Sequence, residues 1–452
     1  DGLGGDTCTD SNKTNSQVEQ RNPSTAGQSS MAVNIAVGGS GGTAGNGGKA
    51  SIVHAGNIVT NGNESAGILA QSIGGGGGNA GINFGLSYLA GDKATSTNIA
   101  LGGGPGDGGS SDDVEVAHTG DIVTTGDHSA AIYAQSIGGG GGKIALNLVT
   151  GMSTRGSLTI TLGRTGSTGG AAGDVQLTSD GAIATQGDDS IGLFAQSIGN
   201  GGGVSSMSSV SLKSEDTSKP KKDRTETALT LSQGLEGGDG GTGGNVTLKA
   251  SGSVQTQGNQ AHAIFAQSVG GGGGLSNMNV RATGKSSGVS LSQGSHGGKG
   301  AASGTVSVDN AARLSTTGSG ARGISAQSIG GGGGNSQLSV DGRMQMGQNN
   351  TLMAMGGSGG CGAASGAVSV SNSGIINTLG EQATGIYAQS IGGGGGDSDL
   401  ILLGQLTTLK GGPLTGTSLG LLMALGGNGG NGGSAGAVSV INSGIIATCA
   451  GI

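Results

Sequence analysis

Few residues in this chain could do chemistry, so their types and spacing are quickly weighed. Asp107, Asp112 and Asp113 follow a glycine-rich turn, in the manner of the calcium-binding nonapeptide Gly-Gly-x-Gly-x-Asp. That motif works in tandem arrays, and none is present, so a solvated turn is expected. His54 and His118 each stand two residues before a glycine, at 56 and 120. With no Cys or carboxylate keeping the same register, they read as surface residues and not as ligands. Cys8, Cys361 and Cys449 lack metal-ligand spacing and are an odd number, so neither a zinc site nor a disulfide framework follows. The glycine runs lack the Gly-Lys-Ser/Thr and helix of a phosphate loop. There is no Gly-x-Ser-x-Gly elbow, no histidine-rich motif and no carboxylate pair that recurs. No catalytic residue, metal or cofactor is therefore expected, and the chain reads as a non-enzyme.

Two columns remain. Gln71, Gln135, Gln196, Gln267, Gln327 and Gln389 recur 64, 61, 71, 60 and 62 residues apart, each inside a string such as Ile68-Leu69-Ala70-Gln71-Ser72-Ile73 followed by five glycines. Stacked directly, they would form a carboxamide ladder; separated by intervening rungs, each would satisfy itself on local backbone, and the second reading is the expected one. Two residues earlier stand Leu69, Tyr133, Phe194, Phe265, Ser325 and Tyr387, a column holding four of the chain's six Phe and Tyr. Tyr133, Phe194, Phe265 and Tyr387 would suit a sugar or an apolar partner if exposed. Buried, they are core, and core is the expectation.

The elements that position these columns are short. Each repeat carries an apolar strand, a glycine-rich bend such as 38–48, and three further strand candidates before the pentaglycine. The pairs Val114/Val116, Val175/Leu177 and Val246/Leu248 alternate as half-buried strands do. Ile58-x-Thr60-x-Gly62 recurs with fixed spacing to the landmark strand, in which Ile68, Ala70 and Ser72 face one way and Leu69, Gln71 and Ile73 the other. Tandem units of this kind stack along one axis. The fold class is thus all-β: an elongated parallel β-solenoid built from ~60-residue glycine-rich repeats. A repeat of this length could wind as one large coil, two of about 30 residues or three of about 20; glycine landmarks favour two and the strand candidates favour three. The glycine runs themselves imply close backbone approach at a corner.

Composition agrees. With 108 Gly, no Trp and only three each of Phe and Tyr in 452 residues, an ordinary globular core would lack filling, whereas a thin core of small aliphatics would not. Net charge is −7 with 10% charged residues, so no basic footprint for nucleic acid exists. No apolar run reaches the length of a membrane-spanning helix. Residues 1–30 are a polar non-repeat segment; 31–452 hold about six complete repeats and a truncated seventh. Residues 213–226, Lys-rich and acidic by turns, read as a charged loop inserted in the longest interval. The break inside a seventh copy suggests a piece of a longer protein.

The strings at 56–78 and 373–396, each ending in Ala-Gln-Ser-Ile and five glycines, resemble the repeats of large bacterial autotransporter passengers, glycine-rich surface adhesins. The resemblance implies an N-terminal signal, a C-terminal outer-membrane translocator barrel outside this segment, and a passenger that folds as a β-solenoid at the cell surface. It implies an extracellular stalk or adhesin acting in attachment, autoaggregation or biofilm, with neighbouring copies of the same protein or surface glycans as partners. Alternatives are a subunit of an ordered extracellular filament or sheet, and a polysaccharide-active β-helix enzyme.

Overall fold

The computed structural model describes residues 31–85, 95–150, 156–212, 227–283, 288–345, 350–407 and 420–448. The segment 1–30 and the insertion 213–226 lie outside the described residues. Among the described residues there is no helix, and every strand pairing is parallel.

The first coil sets the order. β1 (Met31–Val37) leads into the bend; β2 (Ala50–Ala55) and β3 (Ile58–Thr60) follow; a turn brings in β4 (Ile68–Ile73), then the pentaglycine and β5 (Ala80–Gly85). Met31 pairs with Thr95, Ala50 with Val114, Ile68 with Ile132 and Ala80 with Ile144. Equivalent residues of consecutive repeats are therefore direct neighbours, and of the three windings open one repeat is one coil, not the two that glycine landmarks favour or the three that strand count favours. β5 and its equivalents are strands that the sequence reading did not assign.

Stacking gives four sheets, named here by their first-coil strands: a seven-stranded β1 sheet, a twelve-stranded sheet containing β2 and β3, and six-stranded β4 and β5 sheets. Two apolar cores result. The larger lies between the β2 and β4 sheets, from columns such as Val114, Val175, Val246 and Ile132, Leu193, Ile264. The smaller lies between the β1 and β5 sheets and holds Leu146, Leu148, Met207, Met278, Leu338 and Val340.

Between the two lobes runs a waist made of glycine backbone. Along the bend, Gly41, Ala44 and Gly47 donate N–H bonds to Gly104, Asp107 and Ser110 of the next coil at 2.8, 3.0 and 2.9 Å. Along the pentaglycine, Gly74 and Gly77 donate to Ile137 and Gly140, both at 2.8 Å. The rows also bond each other: Gly75 and Gly78 donate to Gly45 and Gly42, and Gly109 and Gly106 of the next bend donate back to Gly75 and Gly78. Every third residue serves the same neighbour, the period of a polyproline-II-type helix, so the waist is a bundle of such helices.

A Cβ on Gly74 would overlap the carbonyl of Gly109, and one on Gly77 that of Gly106. No glycine of these two runs has positive φ. What is used is the missing side chain and not conformational freedom. The runs are straight crossings, not the corners expected, which is why counting them miscounts the coils.

Inward-facing hydroxyls close the larger lobe. Ser136 Oγ donates to Asp112 O and accepts from Gly173 N, both at 2.9 Å, and Ser197, Ser268, Ser328 and Ser390 repeat the arrangement. The threonine column at 60, 124, 185, 256, 316 and 378 donates to carbonyls five residues on, at 2.5–3.2 Å, pinning each turn.

His54 and His118 correct the surface reading. They alternate in register with Ile52 and Val116, point inward, and stack with centroids 5.2 Å apart. His118 is buried. Its Nε2 lies 3.1 Å from Gly120 O and its Nδ1 3.1 Å from His54 Nδ1, an arrangement suited to neutral rings. Burial, and then the neighbouring His54, hold the His118 pKa below the usual imidazole range.

Candidate contact surface

The outer face of the β4 sheet carries the residues singled out by type and spacing. Strand alternation turns Ile68, Ala70 and Ser72 inward and Leu69, Gln71 and Ile73 outward, and the parallel register keeps every coil the same. Three columns therefore run side by side along the stack: aromatic, carboxamide and aliphatic.

All six glutamines join in one ladder. Nε2 of Gln71 donates to Oε1 of Gln135 at 3.1 Å, and the series continues through Gln196, Gln267, Gln327 and Gln389 at 2.7, 2.6, 3.0 and 3.4 Å. The local-backbone expectation fails because no rung intervenes. At the end of the series, Tyr387 Oη donates to Gln389 Oε1 at 2.6 Å.

The aromatic column is not core. Tyr133, Phe194, Phe265 and Tyr387 are half-buried on the outer face, because a lobe filled by Ile, Leu, Val and Ala leaves no inward position for a ring. Tyr133 and Phe194 stack at 4.3 Å and 5°, and Phe194 and Phe265 at 5.1 Å and 7°. Parallel stacking along the axis occupies ring faces with ring faces, so a partner meets edges. Burial pushes the Tyr133 phenol pKa up. Tyr387 is set apart by buried Ser325, and the space is used by Arg322, whose guanidinium lies 4.0 Å over the Tyr387 ring.

Arg322 and His262 are contributors the sequence reading missed. They share one column, two residues before Ile324 and Ile264, so the repeat register itself marks them. Arg322 N–H donates to His262 Nδ1 at 3.1 Å, and the His262 ring stacks 6.0 Å from Phe265. Burial, with the Arg322 charge beside it, pulls the His262 pKa down to about 4.

Acidic chemistry is sparse. A groove of about 510 Å³ at the β1 end of the bends is lined by Asp107, Arg164, Gln233 and Glu236. Asp107 Oδ1 accepts from Thr168 N and Oγ1, and Glu236 Oε2 from Thr165 Oγ1, so both carboxylates serve as links between coils. Among the described residues no group of three or more His, Cys, Asp or Glu could hold a metal ion.

No protein-family model matches this chain, and neither the curated proteins nor the solved structures give a match.

Proposed function

We propose that this chain is the extracellular β-solenoid of a surface-anchored stalk or adhesin, which works by contact along its faces and not by catalysis. The observation that carries the reading is the repetition of one outer surface: carboxamide and aliphatic columns return on the β4 sheet with each coil, four of the six strands add an aromatic, and the glutamine ladder joins them. A surface that recurs every coil offers many equal weak contacts, and such contacts gain by multiplicity. The resemblance of the repeats to autotransporter passengers supports the same reading. It supplies the route, a translocator barrel outside this segment, and the setting, attachment or aggregation at a bacterial surface. Neighbouring copies of the chain fit the β4 face better than glycans do, since the stacked rings leave few faces on which a sugar could lie.

Beads coated with the chain provide the test. Replacing Tyr133, Phe194 and Phe265 together by Ser is expected to reduce bead-to-bead and bead-to-cell attachment at least ~10-fold while the β-sheet circular dichroism persists. Undiminished attachment by that folded variant would remove the β4 face from the proposal.

A further inference from the structure

Over its second to fifth strands the β1 sheet is built with its polarity reversed, whereas in the sixth Leu352 and Ala354 face the core. In the second coil Ser96 and Asn98 are buried and Ile99 and Leu101 point outward. Two hydroxyls per strand continue this inside: Thr159 and Thr161, Thr230 and Ser232, Ser290 and Ser292. Most of these buried groups have no hydrogen-bond partner. Outside, Ile35, Ile99, Ile160, Leu231, Leu291 and Met353 form a central aliphatic column, register-matched from strand to strand. Leu229 and Val289 beside it are 44% and 41% exposed. The β5 sheet, across the same lobe, does the reverse, with Leu and Met inside and Asn83, Asn147 and Asn279 outside.

Such a sheet makes sense only if its outer face is also covered. In isolation, hydroxyls inside and aliphatics outside lose on both sides of the strand: the hydroxyls are desolvated without partners and the aliphatics stay wet. With the outer face buried, the small inward residues simply make room for the bulky Leu and Met of the β5 sheet.

We infer that the outer face of the β1 sheet is the docking surface for a second copy of this chain, sheet against sheet. Its strands contain no Asp, Glu, Lys or Arg, so the face lacks the basic residues that hold a protein on anionic lipid. Its columns repeat at the strand spacing of ~4.8 Å, and the same face of another copy has that period. Seven strands of about seven residues give a footprint of roughly 600 Å² per copy, so a face-to-face pair buries about 1,200 Å², where stable interfaces begin. The inference adds to the lateral-contact reading above a defined face, distinct from the β4 columns.

Sedimentation and light scattering of the whole chain read the result. The chain is expected to run as a dimer at micromolar concentration, and Ile160→Lys with Leu231→Lys to weaken self-association at least 100-fold with circular dichroism unchanged. Should that variant misfold, Leu231→Cys in a chain whose three native cysteines are Ser gives a second readout. It should form an intermolecular disulfide at least 10-fold faster than Ser208→Cys on the polar β5 face. A monomeric wild-type chain at 100 µM, equal cross-linking at the two sites, or monomers that sediment with phosphatidylcholine vesicles would each overturn the inference. Bead attachment that survives in the Lys variant, with dimerisation lost, leaves the β4 proposal standing; attachment undiminished by the triple Ser variant, with dimerisation lost in the Lys variant, leaves only this one.

Discussion

Gln196 occupies the middle of the carboxamide ladder, accepting from Gln135 and donating to Gln267. Ala at this position removes both bonds and strands one donor and one acceptor on a half-exposed face, where water replaces part of what is lost. A cost of about 1–2 kcal/mol follows, read as faster amide exchange in the two flanking coils. His262 gives the residue scale a pH dependence. Its pKa of about 4 lies below the ordinary imidazole value of 6.5, so between those values the unfolded chain binds more protons than the folded one. Stability is therefore complete above pH 6.5 and falls as pH drops toward 4. The slope cannot exceed ~1.4 kcal/mol per pH unit and is discounted for the ring's partial exposure. His118, whose pKa is also lowered, adds in the same direction, since protonation would place two N–H groups against each other in the His54 pair. Melting temperature should drop on acidification from pH 7 to 4.5. The drop should shrink in His262→Gln and further with His118→Asn, a residue already tolerated in this column at Asn310 and Asn372.

At the scale of the element, the pentaglycine separates steric need from mere composition. Gly77→Ala would drive a methyl into the carbonyl of Gly106, whereas Gly76→Ala meets nothing nearer than Gly140 O at 4.0 Å. The first should cost several kcal/mol, beyond the ~1–3 of an overpacked core, and the second should melt within a degree or two of wild type. Equal tolerance of both would dissolve the account of the waist. The same element shows what sequence reveals. Alternation in Ile68-Leu69-Ala70-Gln71-Ser72-Ile73 gives the two faces of β4 as observed, and the Thr60 register marks a fixed turn. Coil number was hidden because alternation within six residues is the same whether a repeat winds once or three times. The inward parity of His54 was readable from Ile52 two residues before it, but histidine chemistry points outward by habit. For β1, alternation defines two faces without saying which is inside. Hydroxyls won the interior of its third to fifth strands, where the opposing β5 sheet supplies large side chains that need small neighbours, and Leu352 takes that place in the sixth.

For the whole molecule, one coil per repeat turns a count of residues into a length. Each coil rises by one strand spacing, so the seven strands of the β1 sheet span only about 30 Å along the axis. From β4 through the pentaglycine to β5, residues 68–85 run across the coil for about 55 Å at strand-like rise. This stretch is accordingly a slab, wider than it is tall, and a solenoid made this way grows slowly: ~62 residues add about 4.8 Å. Two coils per repeat would double that rise, and three would triple it. Versions of the chain lengthened by three and by six copies of the 320–381 repeat should therefore gain about 14 and 29 Å along the axis in solution scattering, with the cross-sectional radius unchanged. Gains near 29 and 58 Å would mean that each repeat winds twice and that the glutamines are not neighbours. Linear growth at the smaller step, with stability rising as coils are added, is what nearest-neighbour stacking requires. It would also set how many repeats a chain of this design needs to reach a given length.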